Sequence, residues 1–502
     1  MGALRDRPGQ IELDPDEFRS LAHTLVDDVA DFLESLPSRR VATGESPREI
    51  RALLGERPLP EAGEEPAELL REAAELLFEH SLLTGHPRFW GYIIGAAAPI
   101  GALADLLAAA VNPNVGGFVL SPVATEVEAQ TVRWIAELVG FPTDCGGLLV
   151  SGGNMANFVG FLAARRARAG WNVREQGAGR RLRAYVSRET HTWIQKAADL
   201  FGLGTESIRW IRTDARLRMD ASAVREQIAS DRADGDLPFL VVGAAGTVST
   251  GAVDPLPELA ALCRDEGLWF HVDGAYGAFA AAVPGAPPEL RAIAEADSVA
   301  LDPHKWLYAP AEAGCALVRE RQALLETFSY RPPYYHLARE QEDEPLNYFE
   351  YGPQNSRGFR ALKVWLALRQ AGREGYAKMI GDDIRLAREL YRLVDDEPEL
   401  EAATTSLSIT TFRYVPAGTA GDDEYLNELN AEVLSRLEAG GEAFLSNAVV
   451  DGRFYLRACI VNFRTTLADI RALPALIREI GEQSHTELRA SAPASPQKST
   501  LR

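Results

Sequence analysis

Four short stretches carry residues whose types suit one another. In DPHKWLYAP (302–310), Lys305 follows an apolar run and stands between His304 and Trp306. A lysine withdrawn from water loses basicity and becomes a nucleophile toward carbonyl carbon, although a single lysine so placed is more often structural. In HVDGAYGAF (271–279), Asp273 ends another apolar run, and Gly274 and Ala275 leave room for something flat. Such an aspartate either caps a turn or keeps a pyridine nitrogen protonated, which strengthens the ring as an electron sink. In LLVSGGNMANFVGFLAARRA (148–167), a strand runs through Ser151-Gly152-Gly153-Asn154 into a helix. The glycines allow close backbone approach, and the helix N-terminus offers free N–H groups that suit a phosphate. The stretch has neither GxGxxG nor GxxxxGK[ST], which disfavours dinucleotides and nucleoside triphosphates. In SRETHTWIQKAADLFGLG (187–204), His191 leaves a strand and enters a helix. A lone histidine there is more often structural; the alternative is an imidazole laid over a cofactor ring.

A phosphate cup, a covering ring, a pyridinium partner and a lysine, in that chain order, together fit one cofactor, pyridoxal 5'-phosphate (PLP). The sequence resembles the PLP-dependent decarboxylase family that includes the aromatic-amino-acid and glutamate decarboxylases (group II). HVDGAY followed by DPHKW carries the resemblance. HPRFWGY (86–92), NVGGFVLSPVATEVE (114–128), GTVSTGAVDP (246–255) and LRACIVNFRTT (456–466) extend it over nearly the whole chain.

The resemblance implies an α/β fold of the aspartate-aminotransferase type (fold type I), a homodimer, and decarboxylation of an L-α-amino acid to the amine and carbon dioxide. It implies that Lys305 holds the cofactor, that Asp273 pairs with the ring nitrogen, that Ala275 packs under the ring and that His191 stacks above it. Gly152, Gly153 and Asn154 would hold the phosphate with help from His304 and Asp302, and Thr247 would lie beside the cofactor. A loop tyrosine, Tyr335 or else its neighbour Tyr334, would return a proton to Cα.

The sequence departs from the family pattern at three places. Val248 stands where many members carry a second threonine, so either Thr247 or Ser249 supplies the hydroxyl or nothing does. Asp302 stands where some members carry asparagine, and a carboxylate beside a phosphate needs either a proton or a rotamer turned away. In the substrate pocket Ile93, Ile94 and Gly116 stand where aromatic decarboxylases carry Phe-Pro and a further Phe, while Tyr92 keeps its ring, so a roomier and less aromatic pocket is expected. Arg457 is open to three readings: a carboxylate anchor, a contact at the dimer seam, or an ion pair between lobes. Rival outcomes on one scaffold are aldehyde synthesis, transamination and carbon–carbon lysis. A relative that binds no cofactor is a further alternative.

These residues need a frame. Apolar runs ending near 151, 187, 246, 273, 302 and 318 alternate with helical patterns such as 154–169 and 257–266. Strands alternating with helices predict a largely parallel sheet, in which ligands gather at the carboxyl ends of the strands. Asp14-Pro15 opens an amphipathic helix over Phe18–Phe32, suited to an N-terminal arm on a partner subunit. A polar linker (55–67) leads to a second helix over 68–83. Residues 329–356 read as a long aromatic and charged loop, the kind that is usually functional. Helices over 357–372, 376–395 and 423–439, with apolar runs at 407–414 and 453–462, predict a small α+β lobe. The expected division is 1–85 as the arm, 86–355 as the large domain, 356–483 as the small domain and 484–502 as a tail.

Composition sets outer limits. The 502 residues carry a net charge of −20, which repels nucleic-acid phosphates and anionic lipid heads, so neither is an expected partner. The most membrane-like stretch, 90–111, is interrupted by Pro99 and Asp105 and reads as a buried helix or loop. Residues 1–20 have no apolar run, so no secretory signal is expected. Cys145, Cys263, Cys315 and Cys459 form no CxxC pair, which argues against zinc and for free thiols in the cytoplasm.

Overall fold

The apolar runs in the middle of the chain pair into one seven-stranded sheet in a computed structural model that describes residues 11–179, 181–331 and 345–491. Its strands are β1 (Gly146–Val150), β2 (Leu182–Ser187), β3 (Ile208–Ile211), β4 (Leu237–Ala244), β5 (Trp269–Asp273), β6 (Ser298–Leu301) and β7 (Gly314–Val318). The order is β1-β7-β6-β5-β4-β2-β3. Only β7 runs against its neighbours; the β6-β5-β4-β2-β3 pairs are parallel. Every residue of β1, β2, β6 and β7 is buried, as expected of strands covered on both faces by helices. This is the fold type I α/β architecture.

Helices Gly153–Arg168, Trp193–Leu200, Ala221–Ala233 and Leu256–Glu266 follow β1, β2, β3 and β4 and return the chain to the next strand. Each begins near the carboxyl end of its strand, so the polar residues at those ends face a common crevice.

A second, antiparallel sheet holds β8 (Leu400–Ser406), β9 (Ile409–Tyr414), β10 (Ser446–Val450) and β11 (Arg453–Cys459), in the order β10-β11-β9-β8. The expected runs at 407–414 and 453–462 are β9 and β11. Their partners went unread because β8 (LEAATTS) is mostly Ala and Thr, and β10 (SNAVV) is short. The two helices expected at 357–372 and 376–395 lie within Ala361–Asp395 and are separated by a kink at Gly372, whose φ of 64° and ψ of 174° break the helical path. The helix expected over 68–83 spans Pro66–His80.

The N-terminal helix Pro15–Ser35 is capped by Asp14, whose side chain accepts from the N–H groups of Asp16 and Glu17. No residue of this helix is buried within the single chain, and its main anchor is a stack of Phe32 on Phe78 at 4.4 Å. The stretch read as a buried helix or loop contains the helix Pro99–Val111, of which only Gly101 and Ala104 are buried. Among the described residues no helix is long and apolar enough to cross a membrane.

Candidate active site

The strand ends converge on one cavity of about 410 Å³. From β1 come Ser151, Gly152, Gly153 and Asn154; from β2, His191; from β4, Thr247 and Val248; from β5, Asp273 and Ala275; from β6, Asp302, His304 and Lys305. Five stretches far apart in sequence thus meet where a parallel sheet places its ligands.

Lys305 sits in a one-turn helix, Pro303–Trp306, directly after β6. Its Nζ lies 2.9 Å from Asp302 Oδ2. The turn is held from behind: Trp306 Nε1 and Tyr308 O–H both donate to Asp383 Oδ2, at 2.8 and 2.7 Å. Burial pushes the Asp383 carboxyl up to about 7. The Trp306 ring also stacks on Tyr276 at 4.9 Å, and Tyr276 is tied to Ser408 Oγ at 2.7 Å. The lysine therefore projects from a rigid base.

Asp273 accepts from Trp193 Nε1 at 2.7 Å through Oδ2 and from the Ala275 N–H at 3.3 Å through Oδ1. Each carboxylate oxygen keeps a further lone pair for a ring nitrogen. Two residues earlier on β5, and so on the same face of the strand, His271 is completely buried. Trp269 Nε1 donates to Ser298 Oγ (2.8 Å), which meets His271 Nδ1 (2.7 Å). His271 Nε2 meets Asn157 Oδ1 (2.7 Å), and Asn157 Nδ2 donates to the Gly153 carbonyl (2.9 Å). Asn157 Oδ1 can only accept, so the proton of His271 lies on Nε2 and the Ser298 hydroxyl donates to Nδ1. Burial holds this ring down to about 4, so it is a neutral relay that locks the Asp273 strand to the glycine turn.

Gly152 and Gly153 open the helix Gly153–Arg168 with its N–H groups toward the cavity. A Cβ on Gly153 would stand 2.6 Å from Asp302 Oδ2 and 3.2 Å from Ala275 Cβ, so nothing larger than glycine fits. His304 lines the same end and its Nδ1 lies 2.7 Å from the Ala313 carbonyl, to which it donates. His191 also lines the cavity. Loss of hydration, with help from Lys305 and Lys196, lowers its pKa from the ordinary histidine value, so the imidazole is neutral at neutral pH. The donor set fits PLP: an N–H cup, an amine, a carboxylate and a neutral ring face one space.

Other expected site residues are placed differently. Thr247 lines the cavity, but its hydroxyl accepts from the Ala252 N–H at 3.1 Å and lies 3.3 Å from Thr250 Oγ1, inside its own turn. Of the expected pocket residues only Ile93 lines the cavity. Tyr92 is 54% and Ile94 40% exposed in the single chain. Gly116 adds no room, because the direction of its missing side chain is filled by the Asn355 carbonyl. Arg457 is buried and donates to Ser446 Oγ and to the Val248 carbonyl, so it ties the second sheet to the site loop by hydrogen bonds instead of an ion pair. Tyr335 and Tyr334 lie outside the described residues. All four cysteines are free, and burial pushes the thiols of Cys145 and Cys459 up to about 12, far from nucleophilic use. Among the described residues no cluster of His, Cys, Asp and Glu could hold a metal ion.

Comparison with known proteins agrees with this geometry. Residues 47–415 match the model of the pyridoxal-dependent decarboxylase conserved domain. The chain is 34% identical to the aromatic-L-amino-acid decarboxylase of Bacillus atrophaeus, over 94% of this chain and 97% of that protein. It is 28% identical to a phenylacetaldehyde synthase of a Rosa hybrid cultivar, over 89% and 90%. Its structure matches that of Oryza sativa TDC with PLP and tryptamine at a TM-score of 0.88 and 26% identity, covering 95% of this chain and 99% of that one.

Proposed function

Because this chain belongs to the pyridoxal-dependent decarboxylase family, a group of PLP-dependent carboxy-lyases acting on amino acids, we propose that Lys305, Asp273, His191 and Tyr335 carry its reaction and that its substrate is an aromatic L-amino acid. The single observation behind the assignment is that Lys305, Asp273, His191 and the Gly152–Gly153 turn line one cavity. The aromatic substrate is supported by the named activity of the Bacillus relative and by the apolar wall of Ile93, Met155 and Val248. Among the described lining residues Lys305 is the only lysine or arginine, which leaves no second cation for an acidic side chain.

When bound, PLP supplies a ring that accepts the electron pair left as the Cα–carboxylate bond breaks. The residues divide the remaining work. Lys305 Nζ holds the cofactor and yields its place to the substrate amine. Asp273 keeps a proton on the ring nitrogen, and Ala275 is small enough to lie under the ring. The N–H groups of Gly152, Gly153 and Asn154 bind the phosphate, with His304 and Thr247 at the rim. Neutral His191 covers the open face and restrains the carboxylate without competing for a proton. Tyr335 delivers a proton to Cα.

The exposed apolar residues Val111, Val119 and Val123, with the unburied face of the helix Pro15–Ser35, support a homodimer in which these surfaces meet. On this reading residues 1–85 are the arm, 86–355 the large domain and 356–483 the small one. The free thiols support a cytoplasmic enzyme.

The test is carbon dioxide release from individual L-amino acids by the PLP-loaded protein, with amine and aldehyde both quantified. Amine from tyrosine, tryptophan or phenylalanine is expected, and Lys305→Ala should lose both turnover and the visible absorbance. Turnover retained in that variant refutes the assignment. A second reading, oxidative formation of an aldehyde with consumption of oxygen, is favoured by the phenylacetaldehyde synthase relative. Tyr335→Phe should divert amine toward that aldehyde; unchanged amine output moves the proton to Tyr334 or elsewhere.

A further inference from the structure

The roles above leave one buried charge without a task. Asp302 follows β6 and is 2% exposed. Its Oδ2 lies 2.9 Å from Lys305 Nζ and 3.7 Å from His304 Nε2. Its Oδ1 has no hydrogen-bond partner among the described residues. The same carboxylate abuts the glycine turn: a Cβ on Gly153 would stand 2.6 Å from Oδ2, and one on Gly152 3.9 Å from Oδ1. A carboxylate thus sits between the cofactor's lysine and the N–H cup proposed for its phosphate.

Two facts bear on what it does. A buried carboxylate with one bare oxygen is costly unless a cation compensates it. Among the described residues the cation that does so is Lys305. Conversely, the free ammonium of Lys305 has no other carboxylate within 4.0 Å among those residues. Asp273, the other acid of the cavity, is engaged by Trp193 and the Ala275 N–H.

We propose that Asp302 is a positioning residue that docks the free Lys305 ammonium, and that the pair, by cancelling the lysine's charge, restrains the affinity of the Gly152–Gly153–Asn154 turn for a phosphate dianion. The proposal rests on the PLP reading of the site. Each turnover requires Lys305 to leave the cofactor and return to it. An acceptor 2.9 Å away keeps the released amine over the site instead of letting it swing to solvent or fold onto the phosphate. Without Asp302, the turn would combine the positive helix end with a bare ammonium, and both attract a dianion.

The experiment uses the full chain stripped of cofactor at pH 8, titrated with pyridoxine 5'-phosphate, which has no aldehyde and cannot be captured by lysine. Binding is read by tryptophan fluorescence, with unphosphorylated pyridoxine as the control. Asp302→Asn should bind the phosphorylated ligand at least ten-fold more tightly and pyridoxine unchanged. Its Lys305 should react several-fold faster with an amine-directed reagent, because the amine is no longer docked on a carboxylate. Lys305→Met should bind the phosphorylated ligand at least ten-fold more weakly, and adding Asp302→Asn to it should restore most of the loss. Equal or weaker binding by a folded Asp302→Asn protein overturns the proposal, as does a double variant no better than Lys305→Met. A wild-type chain that binds the phosphorylated ligand no better than pyridoxine, and gains no visible band with PLP, overturns the cofactor reading itself and the proposal with it.

Discussion

The indole N–H of Trp193 donates to Asp273 Oδ2 at 2.7 Å, two residues beyond the histidine that faces the same cavity. Trp193 is completely buried, so the bond is made away from water, where a hydrogen bond to a charged acceptor is worth about 1.5–3 kcal/mol. It fixes the orientation of the carboxylate proposed to pair with the cofactor ring. Trp193→Phe should preserve the packing and remove the donor. The expected result is a kcat about ten-fold lower and a shifted cofactor absorbance, as about 1.4 kcal/mol corresponds to a factor of ten. An unchanged spectrum and kcat would show that Asp273 needs no such support.

His271 makes a prediction about pH. Its folded pKa is depressed to about 4, against about 6.5 in an unfolded chain. Between those values the unfolded state takes up a proton that the folded state refuses, so this residue's contribution to stability is present above 6.5 and is lost as pH falls toward 4. In the limit the loss is on the order of 3 kcal/mol. Asp254 and Asp383, whose carboxyls burial raises to about 6 and about 7, act in the opposite sense over the same range. The informative quantity is therefore the difference between wild type and His271→Asn. That variant should start less stable at pH 7.5 and lose less on acidification, as read by urea midpoints at several pH values. Parallel curves would mean that the imidazole titrates normally.

The difference between what sequence reading reached and what it missed has a physical cause. Lys305, Asp273, His191 and Gly152–Gly153 were legible because strand ends carry them, and apolar runs mark strand ends. The supports of these residues were not. Trp193, Asn157, Ser298 and Asp383 act through partners 80, 114, 27 and 75 positions away, and no local period signals such a bond. Gly116 misled for a related reason. A glycine suggests empty space, yet a distant carbonyl, that of Asn355, fills the space beside it. β8 escaped because Ala and Thr give no alternation to read.

Gly153 is where the backbone itself is specified. A methyl group there would meet Asp302 Oδ2 at 2.6 Å, inside any normal contact, and press on Ala275 at 3.2 Å. Gly153→Ala should fold, because the start of a helix tolerates alanine well. It should bind PLP at least ten-fold more weakly, because the turn, whose N–H groups are proposed to hold the phosphate, must shift to clear the buried Asp302. Cofactor titration followed by absorbance would measure this. A variant with wild-type affinity would show that the turn yields freely and is not the phosphate cup.

Ile93 is the one expected pocket residue that lines the cavity, and its contribution separates binding from chemistry. It offers apolar surface and carries no group that can donate or accept a proton, so it should hold substrate and transition state alike. Removing such contact raises KM and leaves kcat in place. Truncating a part-buried isoleucine removes about 1–2 kcal/mol of apolar contact at 25 cal/mol per Å². Ile93→Ala should accordingly raise KM for an aromatic substrate about ten-fold at nearly unchanged kcat, with a smaller effect on a short aliphatic amino acid. Initial-rate kinetics on both substrates would measure the split. A fall in kcat at constant KM would place Ile93 against the reacting carbon, and the side-chain pocket would then have to be sought on another wall.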